Sequence, residues 1–296
     1  MKFALHFANL AFPDGPGAKR FAQAAEKAGF ECIVAIDHVV VPTHYDSKYP
    51  YSADGKMMGK PNIAMPDPLT WMTYAAAVTE KIKFMTGVLI LPQRNAVVLA
   101  KQAATMDHMS GGGRIMLGVG VGWLEEEFEA LGIPFRTRGK YTDEAMEAMR
   151  VLWAEDDASY DGELINFRGI NCNPKPPGGS VPFVIGGHSK FAARRAGRYG
   201  DGYFPATGMQ TDFQPVVELA REEAAKAGRD PNALEISAGC PDALPGSGKD
   251  PLEAIAIRKQ MGVDRVVLPT TPFLAGSLEE NLARFGEDVI GKAKSL

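Results

Sequence analysis

The chain has 296 residues, of which 45% are hydrophobic and 23% charged, and its formal net charge is −4. This length and composition predict a globular enzyme with one hydrophobic core. The chain is weakly acidic and has no basic tract, which argues against nucleic-acid and membrane-surface partners. Its apolar runs are too short to predict a membrane span. Its first residues resemble a strand, so no signal peptide is predicted.

Strand-like segments alternate with amphipathic helical segments along the whole chain. Strands are predicted at residues 2–8, 32–37, 82–91, 114–121, 182–186, 202–205, 234–238 and 264–268. Helices are predicted at residues 17–28, 67–79, 95–109, 125–131 with 142–153, 189–199, 213–227, 251–261 and 277–285. Eight strands, each followed by a helix, predict an α/β fold, a (β/α)8 TIM barrel with residues 1–296 as a single domain.

Two insertions interrupt this alternation. Residues 40–66 form a long loop after the second strand, at the rim where barrel active sites are built, and loops of this length are typically lids or binding loops. Two interpretations are open for its tyrosines Tyr45, Tyr49 and Tyr51: they contact a partly apolar small-molecule substrate, or they only pack the loop. The second insertion, near residues 155–175, is predicted to be a small hairpin that turns at Asp161 and Gly162.

Six glycines surround the fourth predicted strand, at positions 111, 112, 113, 118, 120 and 122. Glycine inside a strand indicates the close approach of another backbone or of a ligand. Two interpretations follow for Gly118, Gly120 and Gly122. The missing side chains either let neighbouring parts of the barrel pack closely against this strand, or they leave room for a large planar ligand.

The fifth strand leads into Gly186, Gly187, His188 and Ser189, which open a helix. Glycines allow close approach, serine is a good N-cap, and a helix N-terminus attracts anions, so a cofactor phosphate fits here. The alternative is a capped turn with nothing bound. The Walker A motif is absent, and the glycine spacing at 118–122 does not match the Rossmann fingerprint.

Histidine titrates near neutrality, which makes His38 a candidate proton donor or acceptor beside Asp37 at the end of the second strand. The alternative is a hydrogen-bonded rim residue. His6 is either a core histidine or a residue of the barrel mouth. The five histidines and three cysteines lack metal-ligand spacing, so we expect no metal site, and the isolated cysteines are typical of the reducing cytoplasm.

These segments together resemble the luciferase-like monooxygenase superfamily, and within it the oxidoreductases that use the deazaflavin coenzyme F420. The resemblance covers nearly the whole chain in the family's order. It is carried by Ala28-Gly29-Phe30-Glu31, by Asp37-His38, and by residues 86–95, 100–107, 110–123, 185–189 and 196–203.

The resemblance implies a planar cofactor ring at the C-terminal mouth of the barrel and a cis peptide bond between Gly87 and Val88. It implies a proton-accepting role for His38, with Asp37 either as its orienting residue or as a second polar contact. The residues it implies for cofactor binding are His6, Thr86, Gly87, Val88, Gly118, Gly120, Gly122, Gly186, Gly187, His188 and Ser189.

The implied activity is transfer of a hydride between F420 and a small organic substrate. A homodimer is compatible with the resemblance, since dimerisation is common in the superfamily. One alternative is an FMN-dependent monooxygenase that uses the same pocket, and a second is a non-catalytic barrel that binds the cofactor. Flavin-using relatives often have asparagine at the position of Gly118 and a tyrosine–serine pair near residues 138–142. This chain has neither, which favours the deazaflavin.

Overall fold

The computed structural model describes residues 1–57, 59–205 and 212–295. Its strands are β1 (Lys2–His6), β2 (Cys32–Ala35), β3 (Lys83–Thr86), β4 (Leu89–Ile90), β5 (Ile115–Gly120), β6 (Ala158–Asp161), β7 (Asn166–Ile170), β8 (Phe183–Gly186), β9 (Gly202–Phe204), β10 (Glu235–Gly239) and β11 (Arg265–Pro269). All except β6 and β7 pair in parallel, β11 pairs with β1, and both β3 and β4 pair with β5. Because β3 and β4 together form one barrel strand, the sheet is a closed eight-stranded barrel, as predicted.

Helices cover the outside of the barrel. They are α1 (Ala8–Ala11), α2 (Gly15–Lys27), α3 (Pro68–Ala77), α4 (Ala96–Met109), α5 (Glu125–Ala130), α6 (Arg138–Ala154), α7 (Lys190–Tyr199), α8 (Gln214–Lys226), α9 (Pro251–Gln260) and α10 (Leu278–Phe285). Side-chain caps explain where many of them begin, since Asp67, Asn95 and Ser189 each accept a backbone N–H of the first turn. No described helix is both long and apolar enough to cross a membrane.

Two layers of apolar side chains fill the molecule. The larger lies between strands and helices, and a smaller cluster lies inside the barrel, made of Ala4, Cys32, Val34, Met85, Met116, Val184 and Val267. Since alternate residues of a strand share a face, Gly118 and Gly186 follow Met116 and Val184 on the inner face. His6 follows Ala4 in the same way, so this histidine lies at the inner mouth of the barrel.

A network of charges closes the opposite end of the barrel. The Arg265 guanidinium is 1% exposed and pairs with the carboxylates of Glu31 and Glu235. Each carboxylate also pairs with a lysine: Glu31 with Lys83 and Glu235 with Lys2. Burial raises the pKa of Glu31, but the Arg265 and Lys83 charges outweigh it and hold that pKa below its ordinary value. The bottom of the barrel is therefore a fully paired ionic layer.

Most predicted element bounds differ from the structure by one or two residues, as at the second strand, which ends at Ala35, and three elements differ in a way that changes their description. The first strand ends at His6, because Phe7 has φ 65° and starts the short helix α1. The third strand is interrupted after Thr86, and the helix predicted at 142–153 already begins at Arg138. The hairpin insertion is confirmed, with β6 and β7 antiparallel.

Candidate active site at the barrel mouth

The fold brings the predicted site residues to one end of the barrel. His6 ends β1, His38 follows β2, Gly87 separates β3 from β4, Gly122 follows β5, and Gly187 follows β8. Carboxyl ends of parallel barrel strands meet at the same face, where barrel enzymes carry their chemistry. The described residues contain no group of three or more His, Cys, Asp or Glu side chains placed to hold a metal.

His6 contacts the interruption of the third strand. Its Nε2 lies 3.0 Å from the carbonyl oxygen of Gly87, and its ring stacks on Phe7 with centroids 4.0 Å apart. Burial lowers the pKa of His6 to about 4, an effect that the Gly87 carbonyl only partly offsets. His6 is therefore neutral near pH 7, with Nε2 as the protonated nitrogen that donates to Gly87.

The interruption inserts one extra residue beside β5. Met85 pairs with Met116 and Leu89 pairs with Val119, so three residues (86–88) face two (117–118). This is the geometry of a β-bulge, which re-aims side chains at the rim of a barrel. The peptide bond between Gly87 and Val88 is cis, as the resemblance implies. The Thr86 hydroxyl donates a hydrogen bond to the Gly118 carbonyl at 2.7 Å, so its proton is already used in a hydrogen bond within the protein.

The glycines of the inner face are matched to this bulge. A Cβ atom at Gly118 would lie 1.7 Å from the Thr86 carbonyl oxygen, and Cβ atoms at Gly120 and Gly186 would lie 2.5 and 2.4 Å from the Val88 side chain. At Gly122 φ is +81°, a left-handed value, and a Cβ would meet the Phe128 ring at 2.7 Å. Internal packing thus accounts for all four glycines, and their contact with a cofactor stays a prediction.

His38 is held by a carboxylate that the sequence interpretation did not single out. Its Nδ1 lies 2.9 Å from Oε2 of Glu127 on α5, whose side chain is 0% exposed. Oε1 of the same carboxylate accepts the backbone N–H groups of Val39 at 2.6 Å and Val40 at 3.2 Å. The rings of Trp123 and His38 pack in a T-shaped arrangement, with centroids 6.2 Å apart. The imidazole is therefore fixed through Nδ1, which leaves Nε2 for exchange of a proton.

Asp37 has other partners than the histidine beside it. Its Oδ2 accepts the backbone N–H of Ile90 at 3.0 Å, and its Oδ1 accepts a hydrogen bond from Arg94 at 2.8 Å. Arg94 also donates to Asp67 at 2.8 Å. The orienting hydrogen bond to His38 that we expected from Asp37 is made by Glu127 instead, and Asp37 ties the end of β2 to β4. A direct catalytic role for Asp37 stays a prediction.

Residues 45–51 of the long loop are attached beside the mouth. Tyr45 and Tyr49 both pack edge-on against Trp123, with centroids 5.6 and 5.1 Å apart, and Tyr49 contacts Tyr51. The Glu126 carboxylate accepts the backbone N–H groups of residues 46 and 47. The loop is thus an aromatic cover attached to the first turn of α5, which is the position expected for a lid.

The junction of β8 and α7 has the features of an anion site. Gly187 has φ +114°, which favours glycine, and the Ser189 hydroxyl caps α7 by accepting the N–H of Ala192 at 3.1 Å. Nδ1 of His188 is buried and has no hydrogen-bond partner among the described residues. A buried polar atom without a partner is costly, and a bound phosphate offers such a partner. The residues present therefore fit a phosphate-bearing cofactor.

The sequence interpretation missed Glu127 and Trp123 as functional candidates. Glu127 is the third of three consecutive glutamates. Acidic residues are common in the first turn of a helix, where they stabilise its N-terminus, so this run did not indicate a functional site. The only sequence signal was its place directly after the glycine-rich strand. Asn95 caps α4 by accepting the N–H groups of Val97 and Val98.

Comparisons with known proteins agree with this architecture. The chain matches the family described as luciferase-like monooxygenase over residues 10–244. An uncharacterized protein of Mycobacterium tuberculosis is 34% identical over 286 residues, 92% of this chain and 93% of that protein. The F420-dependent glucose-6-phosphate dehydrogenase of Nocardia farcinica is 33% identical over 221 residues, 72% of this chain and 60% of that enzyme. The structure of monooxygenase RslO1 from Streptomyces bottropensis superposes with a TM-score of 0.75 at 22% identity, over 99% of each chain, which shows the shared fold.

Proposed function

Because this chain belongs to the luciferase-like monooxygenase family, we propose that it is an oxidoreductase that transfers a hydride between the deazaflavin F420 and a small organic substrate. The observation that carries the proposal is the fixed His38 imidazole at the barrel mouth, held through Nδ1 by the buried Glu127 carboxylate. The similar Nocardia enzyme, which is F420-dependent, supports the choice of cofactor.

The cofactor would be held at two places. Gly187, Ser189 and Nδ1 of His188, which has no partner in the described part of the chain, would bind its phosphate. The inner mouth around His6 and Val88 would face its ring. When bound, a deazaflavin supplies a ring carbon that takes up or returns a hydride. The protein itself contributes orientation and a proton relay.

His38 is the group that moves the proton. For a substrate alcohol, the hydroxyl proton passes to Nε2 of His38 while the hydride leaves the carbinol carbon, so that a carbonyl compound forms. In the reverse direction, protonated His38 returns the proton to the carbonyl oxygen. A general acid–base group of this kind contributes about 10²–10⁴-fold in rate. The Glu127 carboxylate stabilises the imidazolium that forms when the alcohol is oxidised and that donates the proton in the reverse reaction.

The aromatic cover has a role in binding and in excluding water. Trp123 packs beside His38, and Tyr45 and Tyr49 pack on Trp123. Val39 and Val40, which follow His38 in the chain, are each 43% exposed. This surface favours a substrate with an apolar body whose reacting oxygen points to His38. Closing the mouth also strengthens the electrostatic interactions inside it.

The decisive experiment begins with binding of F420 and of FMN, each followed by quenching of protein or cofactor fluorescence. Reduction of F420 by a panel of alcohols is then followed by loss of its absorbance. His38→Ala should lower kcat by about 10²–10⁴-fold and change the cofactor Kd only a few-fold. His108→Ala, an exposed histidine at the end of α4, is the matched control and should keep full activity.

Two results would replace this proposal. Tight FMN binding with oxygen consumption coupled to substrate loss would favour the flavin monooxygenase. Cofactor binding without any redox change over a broad substrate panel would favour the non-catalytic barrel. Unchanged turnover in His38→Ala would remove this histidine from the mechanism.

A further inference from the structure

We propose that Glu127 is the positioning residue of His38, because its carboxylate fixes the imidazole as the Nδ1-protonated tautomer and so presents the lone pair of Nε2 to the substrate. This inference rests on the proposed function for its kinetic consequence. Its structural part, the tautomer of His38, is measurable without turnover.

Both oxygens of the carboxylate are assigned by geometry. Oε1 accepts the N–H groups of Val39 and Val40, and these two bonds fix the rotation of the carboxylate. Oε2 is then the atom left for His38, 2.9 Å from Nδ1. Since the Glu127 side chain is 0% exposed, water does not compete for these positions. The carboxylate therefore aims at Nδ1 whether or not the histidine is charged.

The protonation state of Glu127 follows from the same contacts. Burial by itself raises the pKa of this carboxyl, but the His38 ring and the Val40 N–H outweigh burial and hold the pKa below its ordinary value. An ionised carboxylate only accepts hydrogen bonds. Nδ1 must therefore carry the proton that points to Oε2, and in neutral His38 the lone pair is on Nε2.

The neighbouring charged groups do not compete for this role. Asp37 precedes His38, but both of its oxygens are engaged, one with Arg94 and the other with the Ile90 N–H. Arg94 is in turn shared with Asp67. The side chain of Gln93 is also near Glu127, but neither polar atom of its amide has a hydrogen-bond partner among the described residues. Glu127 is thus the carboxylate that acts on His38.

The test is the variant Glu127→Gln. Its amide oxygen is expected to keep the Val39 and Val40 N–H groups, so that the amide NH₂ faces Nδ1. Nδ1 must then accept, and the ring proton moves to Nε2. We expect ¹⁵N NMR of labelled protein to show the Nδ1-protonated tautomer in the native protein and the Nε2-protonated tautomer in Glu127→Gln. Loss of such an orienting carboxylate should lower kcat by about 10²-fold or more, with the cofactor Kd within about threefold.

Glu129→Gln is the matched control, since Glu129 is an exposed glutamate on the same short helix and loses the same charge. It should leave both the tautomer and kcat unchanged. Glu127→Asp keeps a carboxylate on a shorter side chain and should retain more activity than Glu127→Gln. Should Glu127→Gln fail to fold, the tautomer of the native protein still decides the structural part.

Several outcomes would overturn the inference. An Nε2-protonated tautomer in the native protein would show that Glu127 does not set the ring. An unchanged kcat in folded Glu127→Gln, in a preparation where His38→Ala is inactive, would remove the kinetic role. If no substrate is turned over at all, the proposed function fails, while the tautomer measurement still tests Glu127.

Discussion

The Val88 side chain lies where a Cβ atom at Gly120 would have to be, with only 2.5 Å between that position and Cγ2 of Val88. Gly186 approaches Val88 from β8 in the same way, at 2.4 Å. One valine of the bulge therefore requires a bare backbone on two neighbouring strands. The size of residue 88 and the absence of side chains at 120 and 186 form one packing unit.

This complementarity predicts the effect of Gly120→Ala. The added methyl group overpacks against Val88 and should lower the free energy of unfolding by about 1–3 kcal/mol, measured by urea denaturation. Adding Val88→Ala to Gly120→Ala makes room and should return part of that loss. A double-mutant cycle reports the coupling, and strictly additive effects would show that the two residues do not share this space.

The buried pair of Asp37 and Arg94 predicts an asymmetric pair of variants. The Asp37 side chain is 0% exposed and that of Arg94 is 17% exposed. Arg94→Met leaves a buried carboxylate without its cation and should cost about 3–5 kcal/mol of stability at pH 7. Asp37→Asn removes the buried charge and leaves Arg94 paired with Asp67, so its cost should be smaller. Equal losses in chemical denaturation would contradict this order.

The same pair predicts a pH effect. Burial already raises the pKa of Asp37, and Arg94 partly offsets it. In Arg94→Met the offset is gone, so the folded protein takes up a proton on Asp37 more readily than the unfolded chain does. The stability deficit of this variant should therefore shrink as the pH falls from 7. A deficit that stays constant down to pH 5 would argue against a buried, unpaired Asp37.

His6 predicts a second pH dependence with a defined window. Its pKa is about 4 in the folded protein, against the ordinary histidine value of 6.5 in an unfolded chain. Between these values the unfolded chain binds more protons, so stability is fully present above about pH 6.5 and is lost as the pH falls towards 4. His6→Gln keeps a donor for the Gly87 carbonyl but does not titrate. Its stability should depend less on pH than that of the native protein within this window, and identical curves would exclude the effect.

The β8–α7 junction predicts a phosphate-specific loss of affinity. His188→Ala should weaken binding of the phosphate-bearing cofactor by about tenfold, roughly 1.4 kcal/mol, because a charge-assisted hydrogen bond is lost. Binding of the phosphate-free chromophore should change much less. Fluorescence titration of both ligands measures this ratio. Equal weakening of both ligands would mean that His188 acts on the ring or on folding.

The barrel itself follows from local signals. The alternation of strands and helices, the caps at Asn95 and Ser189, and the long insertion after the second strand are all visible in the residues and are all present in the fold. These features depend on a few neighbouring positions, and eight strand–helix units in a row leave few other architectures.

The partner of His38 depends on distant contacts and was not predictable in this way. Glu127 is 89 residues away along the chain, and its carboxylate reaches His38 only because the first turn of α5 lies beside the end of β2. Adjacency in sequence pointed to Asp37, but Arg94 in the next βα connection captures that side chain. A single sequence records which carboxylates exist, whereas tertiary packing decides which of them meets the imidazole.

Glu127 binds both the His38 ring and the backbone at residues 39 and 40. These two contacts restrict how the substrate range of this protein can be changed by design. Replacing the 40–66 loop with a loop from another enzyme is the obvious way to admit new substrates. The graft has to keep free amides at positions 39 and 40, since a proline at either place would remove a donor from Oε1 and release the carboxylate that steers the imidazole. Residues beyond these two are the ones open to exchange.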